Sequence, residues 1–133
     1  MQGKLNFLVI DDCEPVLAIY TQLLQQAGHN IMALPSCDEA TQAIDAFQPD
    51  CILCDMILPG MDWHEFFRHV RQTMAEKEPV FIVISAKQFD YDRREALKVG
   101  VDAYLTKPIN HSTFVAELMH VINSKAHQKN KQP

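Results

Sequence analysis

Residues 7–14 read FLVIDDCE. Four apolar residues run directly into two aspartates. A strand exposed on one face alternates polar with apolar residues, so an unbroken apolar run marks a strand covered on both faces, as in a parallel sheet. The adjacent carboxylates repel, and each needs a partner or water to stay ionised. One reading makes them a helix cap; the other makes them a cation site.

The same kind of run recurs at 30–34 (NIMAL), 51–54 (CILC), 80–84 (VFIVI) and 101–105 (VDAYL), and the first extends back to residue 5. Helical patterns lie between them. Val16, Leu17, Tyr20, Leu23, Leu24 and Ala27 share one helical stripe, with Pro15 near its start and Gly28 past its end. Ala40, Ala43, Ile44 and Phe47 follow Ser36 as a second stripe, and Phe66, Phe67 and Val70 mark a third. Residues 90–99 make a more charged fourth helix closed by Gly100; Phe114, Val115, Leu118, Met119 and Ile122 make the fifth. Strict alternation of five strands with five helices predicts an α/β, doubly wound parallel sheet. In such folds ligands bind outside the carboxyl ends of the strands. The polar, basic stretch 123–133 reads as a frayed tail.

Bulk properties agree with one globular domain: 133 residues, 47% hydrophobic and 22% charged. A net charge of -5 argues against a broad nucleic-acid-binding face. No apolar run is long enough to span a bilayer, and no charged-then-apolar leader opens the chain. Cys13, Cys37, Cys51 and Cys54 read as free thiols, which suits a reducing cytoplasm. Cys51 and Cys54 lie within one strand, where their side chains alternate faces, so their C-x-x-C spacing is no metal or redox motif. HEFFRH (64–69) resembles a zinc-protease helix but sets its histidines five apart rather than four. No G-x-G-x-x-G or P-loop follows any strand.

The residues at the carboxyl ends of the strands form a set. The first strand ends in Asp11 and Asp12, the third in Asp55 and the fourth in Ser85; Lys107 and Pro108 follow the fifth. A single aspartate there can cap the next helix, but three carboxylates on one rim call for a cation. Magnesium binds through one or two carboxylates and accepts phosphate oxygens. Beside it a carboxylate can attack a phosphoryl group, while a lysine and a hydroxyl hold the remaining oxygens. The set suits formation of an aspartyl phosphate.

Four segments, VIDDCE (9–14), CDMILPGMD (54–62), VISA (83–86) and GVDAYLTKPI (100–109), in this order and spacing, resemble the receiver domains of two-component response regulators, including single-domain chemotaxis-type receivers. The resemblance spans about residues 5–123. It implies a flavodoxin-like sheet of strand order 2-1-3-4-5, with 1–123 as the receiver domain and 124–133 as a polar tail or linker stub. It implies Asp55 as phosphoacceptor, with Asp12 as direct metal ligand and Asp11 acting through water. The backbone carbonyl of Ile57 would complete a Mg2+ (or Mn2+) site. Ser85 and Lys107 would hold the phosphoryl group, Pro108 would follow a cis bond, and Tyr104 would change rotamer as Ser85 moves.

On this resemblance the donor is a sensor histidine kinase or phosphotransfer protein. Phosphorylation biases the fourth helix, fifth strand and fifth helix, near Arg93, Arg94, Phe114 and Leu118, toward a downstream effector or a C-terminal output domain. Dimerisation through that face on phosphorylation is allowed. No direct nucleic-acid or membrane contact and no enzyme activity beyond self-phosphorylation and dephosphorylation are implied. The chain departs from the family at Trp63, where a glycine is usual; Ile57 and Lys87 occupy positions that tune phosphoryl lifetime. Two other classes compete: a phosphate-independent module of the same fold, disfavoured by the intact acidic set, and an aspartyl-nucleophile phosphohydrolase, disfavoured because the first strand ends in DDC rather than D-x-D.

Overall fold

The computed structural model describes residues 3–86 and 90–131. The elements alternate as β1 (Asn6–Ile10), α1 (Glu14–Gln26), β2 (Asn30–Leu34), α2 (Cys37–Phe47), β3 (Cys51–Asp55), α3 (Trp63–Thr73), β4 (Val80–Ser85), α4 (Asp90–Val99), β5 (Ala103–Thr106) and α5 (Phe114–Lys131). The strands form one sheet in the order β2-β1-β3-β4-β5, with every pairing parallel. This is the flavodoxin-like order expected from the resemblance.

The unbroken apolar runs fall where both faces are covered. Every residue of β3 and β4 is buried, as is β1 after Asn6, whereas β2 and β5 are edges with exposed positions. Successive residues of one strand feed opposite cores. Leu8, Ile10, Ile52, Cys54, Phe81 and Val83 pack with Ile44, Phe66, Phe67 and Ala96 from α2, α3 and α4. Phe7, Val9, Cys51, Leu53, Ile82 and Ile84 pack with Tyr20, Leu24, Phe114 and Leu118 from α1 and α5. Cys51 and Cys54 therefore face opposite sides, as their spacing in a strand requires.

Local signals set the helix ends. Ser36 caps α2: its hydroxyl accepts from the Glu39 amide and lies within donating distance of the Glu39 carboxylate. Asp62 caps α3 by accepting from the Glu65 amide at 2.8 Å. Gly28, at φ 92°, turns the chain out of α1.

Three expectations change. The fifth strand begins at Ala103 rather than at 101. Asp102 instead exchanges bonds with β4: its amide donates to the Phe81 carbonyl, and its carboxylate accepts from the Phe81 amide. Residues 123–131 of the stretch read as a frayed tail are helical, because α5 continues to Lys131; residues 132–133 lie outside the described residues. Lys125 anchors it, with Nζ 3.0 Å from Asp102 and 3.7 Å from Glu78, and donates to the Pro79 carbonyl. Phe114 and Leu118, placed by the sequence reading on an output face, are fully buried against α1.

Candidate functional site

All carboxyl ends of a parallel sheet point to one rim. β1 runs out into Asp11 and Asp12, β3 ends in Asp55 and β4 in Ser85, and Lys107 follows β5. The register sets Ile10 beside Cys54, Asp55 beside Ile84 and Ser85 beside Thr106, so these side chains converge. Carboxylate oxygens of Asp11, Asp12 and Asp55 all lie within 4.8 Å of one another. Asp11 and Ser85 are fully buried, Asp55 nearly so, and Asp12 is exposed. Lys107 bridges two of the acids: Nζ donates to Asp11 Oδ2 at 2.9 Å and lies 3.4 Å from Asp55 Oδ2.

Three carboxylates and one ammonium leave an excess of about two negative charges. Burial, and then the Asp11 charge, push the Asp55 carboxyl above the usual carboxylate range, against the opposing pull of Lys107 and the Ile57 amide. Burial disfavours the Lys107 ammonium, but Asp11 and Asp55 outweigh it and hold the amine above its ordinary value. Tyr20, under the rim, is pushed up by burial first and by Asp11 and Asp55 after it. The cluster thus offers hard oxygen donors with unbalanced charge. That donor set fits a Mg2+-sized cation and suits neither a soft metal nor an anion.

Neither aspartate caps α1. Its N-cap is Cys13, with no side-chain bond, and Pro15 lies in the first turn. Asp11 Oδ1 accepts from the Cys13 amide at 3.0 Å while Oδ2 faces Lys107. The cation-site reading of the DD pair is the one the geometry favours.

The segment from Asp55 to α3 is held in place. Gly60 has φ 80°, and the Met61 amide donates to Asp38 Oδ2 of α2 at 3.3 Å. Ile57 turns its side chain outward, 59% exposed, while its amide serves Asp55. Trp63 opens α3 and is half-buried against the core, as are Met56, Leu58 and Met61 of the preceding loop, and its ring stacks on His64 at 5.3 Å. Its position matches a packing role better than a free anchor. Tyr104 is buried, with its hydroxyl 4.0 Å from Met56 Sδ, and the Lys107–Pro108 bond is cis. Arg93 and Arg94 are exposed on α4. A cleft of about 390 Å³ opens beside Lys107, between Val16, Ile19 and Tyr20 of α1 and the Pro108–Ile109 turn. Lys87 lies outside the described residues. Sequence reasoning missed Asp38, whose contact with the loop after β3 spans 23 residues, and it missed the 3.7 Å approach of Cys37 Sγ to Cys54 Sγ.

Fold and rim together define a receiver-type class: a five-stranded parallel sheet with an acidic cluster and a lysine at its carboxyl edge. The model of the response regulator receiver domain family matches residues 7–119, and the chain belongs to that family. It is 30% identical over 122 residues to the phosphate regulon transcriptional regulatory protein PhoB of Pseudomonas aeruginosa, covering 92% of this chain and 53% of that protein. The Escherichia coli (strain K12) PhoB is 28% identical over 88% of this chain and 51% of its own length. The chain therefore spans about half the length of the curated relatives it matches. Among solved structures, a putative response regulator from Chloroflexus aurantiacus superposes with TM-score 0.82 at 26% identity, covering 91% of this chain and 99% of that one. The chemotaxis response regulator CheY4 of Vibrio cholerae gives 0.82 at 24%, covering 90% and 99%. Among the described residues no helix is long and apolar enough to cross a membrane.

Proposed function

We propose that the chain receives a phosphoryl group on Asp55 from a phosphohistidine of a kinase or phosphotransfer protein and uses it as a reversible signal. The observation that carries this reading is the bridge from Lys107 Nζ to Asp11 and Asp55 within a triple-carboxylate rim. An Asp55 carboxylate oxygen attacks phosphorus, the P–N bond of the phosphoimidazole breaks, and the leaving ring takes a proton. Asp11, Asp12, Asp55 and the Ile57 carbonyl are the residues that would hold Mg2+. When bound, the ion neutralises carboxylate repulsion and offsets charge on the phosphoryl oxygens. Lys107 is placed to trade its Asp55 contact for a phosphoryl oxygen, and Ser85 to donate to another.

The added charge, roughly two negative units, draws Lys107 and Ser85 toward Asp55. β5 follows through the bond from the Lys107 amide to the Ser85 carbonyl. The output surface is then the cleft of about 370 Å³ lined by Arg93, Tyr104, Leu105 and Glu117, rather than the buried Phe114 and Leu118. Tyr104 and Pro108 at its border are the switch residues. Because the PhoB relatives are longer transcriptional regulators, an effector protein or an attached output domain is the receiver of the signal, with dimerisation through this face as one route.

Intact mass after exposure to acetyl phosphate tests the proposal. Wild type with Mg2+ gains one phosphoryl group, about 80 Da, and Asp55→Asn or chelation abolishes the gain. No gain in wild type under any donor refutes it.

A further inference from the structure

Two thiols unused by this chemistry meet in the core. Cys37 is the first residue of α2 and Cys54 the fourth of β3; both are fully buried, and their sulfurs lie 3.7 Å apart. The other cysteines stand apart from them: Cys51 faces the opposite core and Cys13 is exposed at the start of α1. Each member of the pair is joined to a part of the acidic site. Cys54 precedes Asp55 in the chain, and its sulfur lies 3.5 Å from the Asp55 carbonyl. Cys37 precedes Asp38, which holds the Met61 amide and so the loop after β3.

We propose that Cys37 and Cys54 form a reversible disulfide that controls the geometry of Asp55. A peroxide or a small disulfide is the oxidant. With hydrogen peroxide, two thiols and one peroxide give one S–S bond and two waters, and both thiol hydrogens leave with the oxygen. The pair sits beneath the first turn of α2, so the oxidant enters when that turn opens. The turn's side-chain cap, between Ser36 and Glu39, is exposed. Closing the sulfurs from 3.7 Å to the roughly 2.0 Å of a disulfide requires a shift of about 1.7 Å, shared between α2 and the end of β3. Both ends of that shift reach the site, one through Asp55 itself and the other through Asp38 and the loop. A displacement of about 1 Å at a reacting group lowers rates by up to about 100-fold. The oxidised protein therefore takes phosphate from acetyl phosphate about 10- to 100-fold more slowly, and dithiothreitol restores the rate. This consequence rests on Asp55 being the phosphoacceptor; the cross-link does not.

The test treats folded wild type and the Cys13→Ser/Cys51→Ala variant with hydrogen peroxide and maps non-reduced peptides by mass. Both are expected to lose about 2 Da per chain and to yield a peptide joining residues 37 and 54, which Cys37→Ala abolishes. A Cys13→Ser/Cys51→Ala chain that keeps two free thiols, or oxidises each sulfur singly, overturns the proposal. A mapped cross-link with an unchanged phosphorylation rate overturns the control of Asp55. Failure of the reduced protein to take up phosphate counts against the phosphoacceptor reading alone, and the mapped cross-link still supports the pair.

Discussion

Asp55→Asn is expected to make the metal-free protein more stable. Asp55 is 7% exposed, and its carboxylate oxygens lie within 4.8 Å of those of Asp11 and Asp12 and 3.4 Å from Lys107 Nζ. At an effective dielectric of about 20, each like-charge contact costs about 3.5 kcal/mol and the lysine contact returns about 5 kcal/mol. Two repulsions against one attraction leave about 2 kcal/mol unfavourable. Screening of the exposed Asp12 reduces that figure, while burial of Asp55 adds in the same direction. The expected gain on neutralisation is about 1–2 kcal/mol, or about 3–8 °C in Tm for a domain of this size. The sign with pH follows from the raised Asp55 carboxyl. A carboxyl favoured in its protonated form by folding contributes stability below the unfolded value near 3.9 and loses it as pH rises through the folded value. The gap between variant and wild type therefore opens from acid toward neutral pH. Mg2+ narrows the gap, since a ligand that binds only the folded state adds about 1.4 kcal/mol at ten times its Kd, and the variant lacks one carboxylate for it. Urea unfolding in EDTA and in Mg2+, at acid and neutral pH, reads all of this. An Asp55→Asn protein less stable than wild type in EDTA at neutral pH would refute the reasoning.

Lys107→Met removes the only ammonium bridging Asp11 and Asp55 among the described residues. It is expected to cost about 2–4 kcal/mol in EDTA, with a larger Mg2+ rescue than in wild type, by urea titration. Gly60→Ala forces a side chain onto φ 80° and puts its Cβ 2.6 Å from Asp38 Oδ2. A loss of about 1–2 kcal/mol is expected, smaller in an Asp38→Ala background because the two changes share one contact. Lys125→Met is expected to cost about 1–2 kcal/mol and to speed amide hydrogen exchange in residues 123–128 of α5, leaving β3 and β4 protected.

The parallel sheet was legible because burial on both faces leaves an unmistakable pattern. FLVI, CILC and VFIVI could not sit on a half-exposed sheet, and each became a strand with no exposed residue after Asn6. The acidic rim was legible for a related reason: residues that end parallel strands share an edge whatever the sequence between them. What stayed hidden depends on long-range pairing. Asp38 lies in a polar helical turn, and nothing local says that its carboxylate meets Met61. The Cys37–Cys54 contact needs the packing of α2 on β3. Phe114 and Leu118 are a helical stripe in the sequence, and a stripe does not say whether it faces core or partner; their fully buried positions against α1 assign them to the core.

The tail shows the same limit at the other end of the sheet. NSKAHQKNKQP offers few apolar residues, and composition alone predicts fraying. The structure supplies a partner: Asp102, at the amino end of β5, accepts from the Phe81 amide and also faces Lys125 and Arg71, at 3.0 and 3.5 Å. Beyond it Lys77 pairs with Asp50, whose other oxygen accepts from the Asn6 amide. Acids that precede strands are thus matched by lysines and an arginine, whereas the acids that follow strands are left in excess. The two rims divide the work. Paired charges at the amino ends fix α3, β4, β5 and α5 relative to one another. The charge imbalance at the carboxyl ends stores repulsion that a bound cation would relieve. A rim built for stability alone would have matched its charges at both ends.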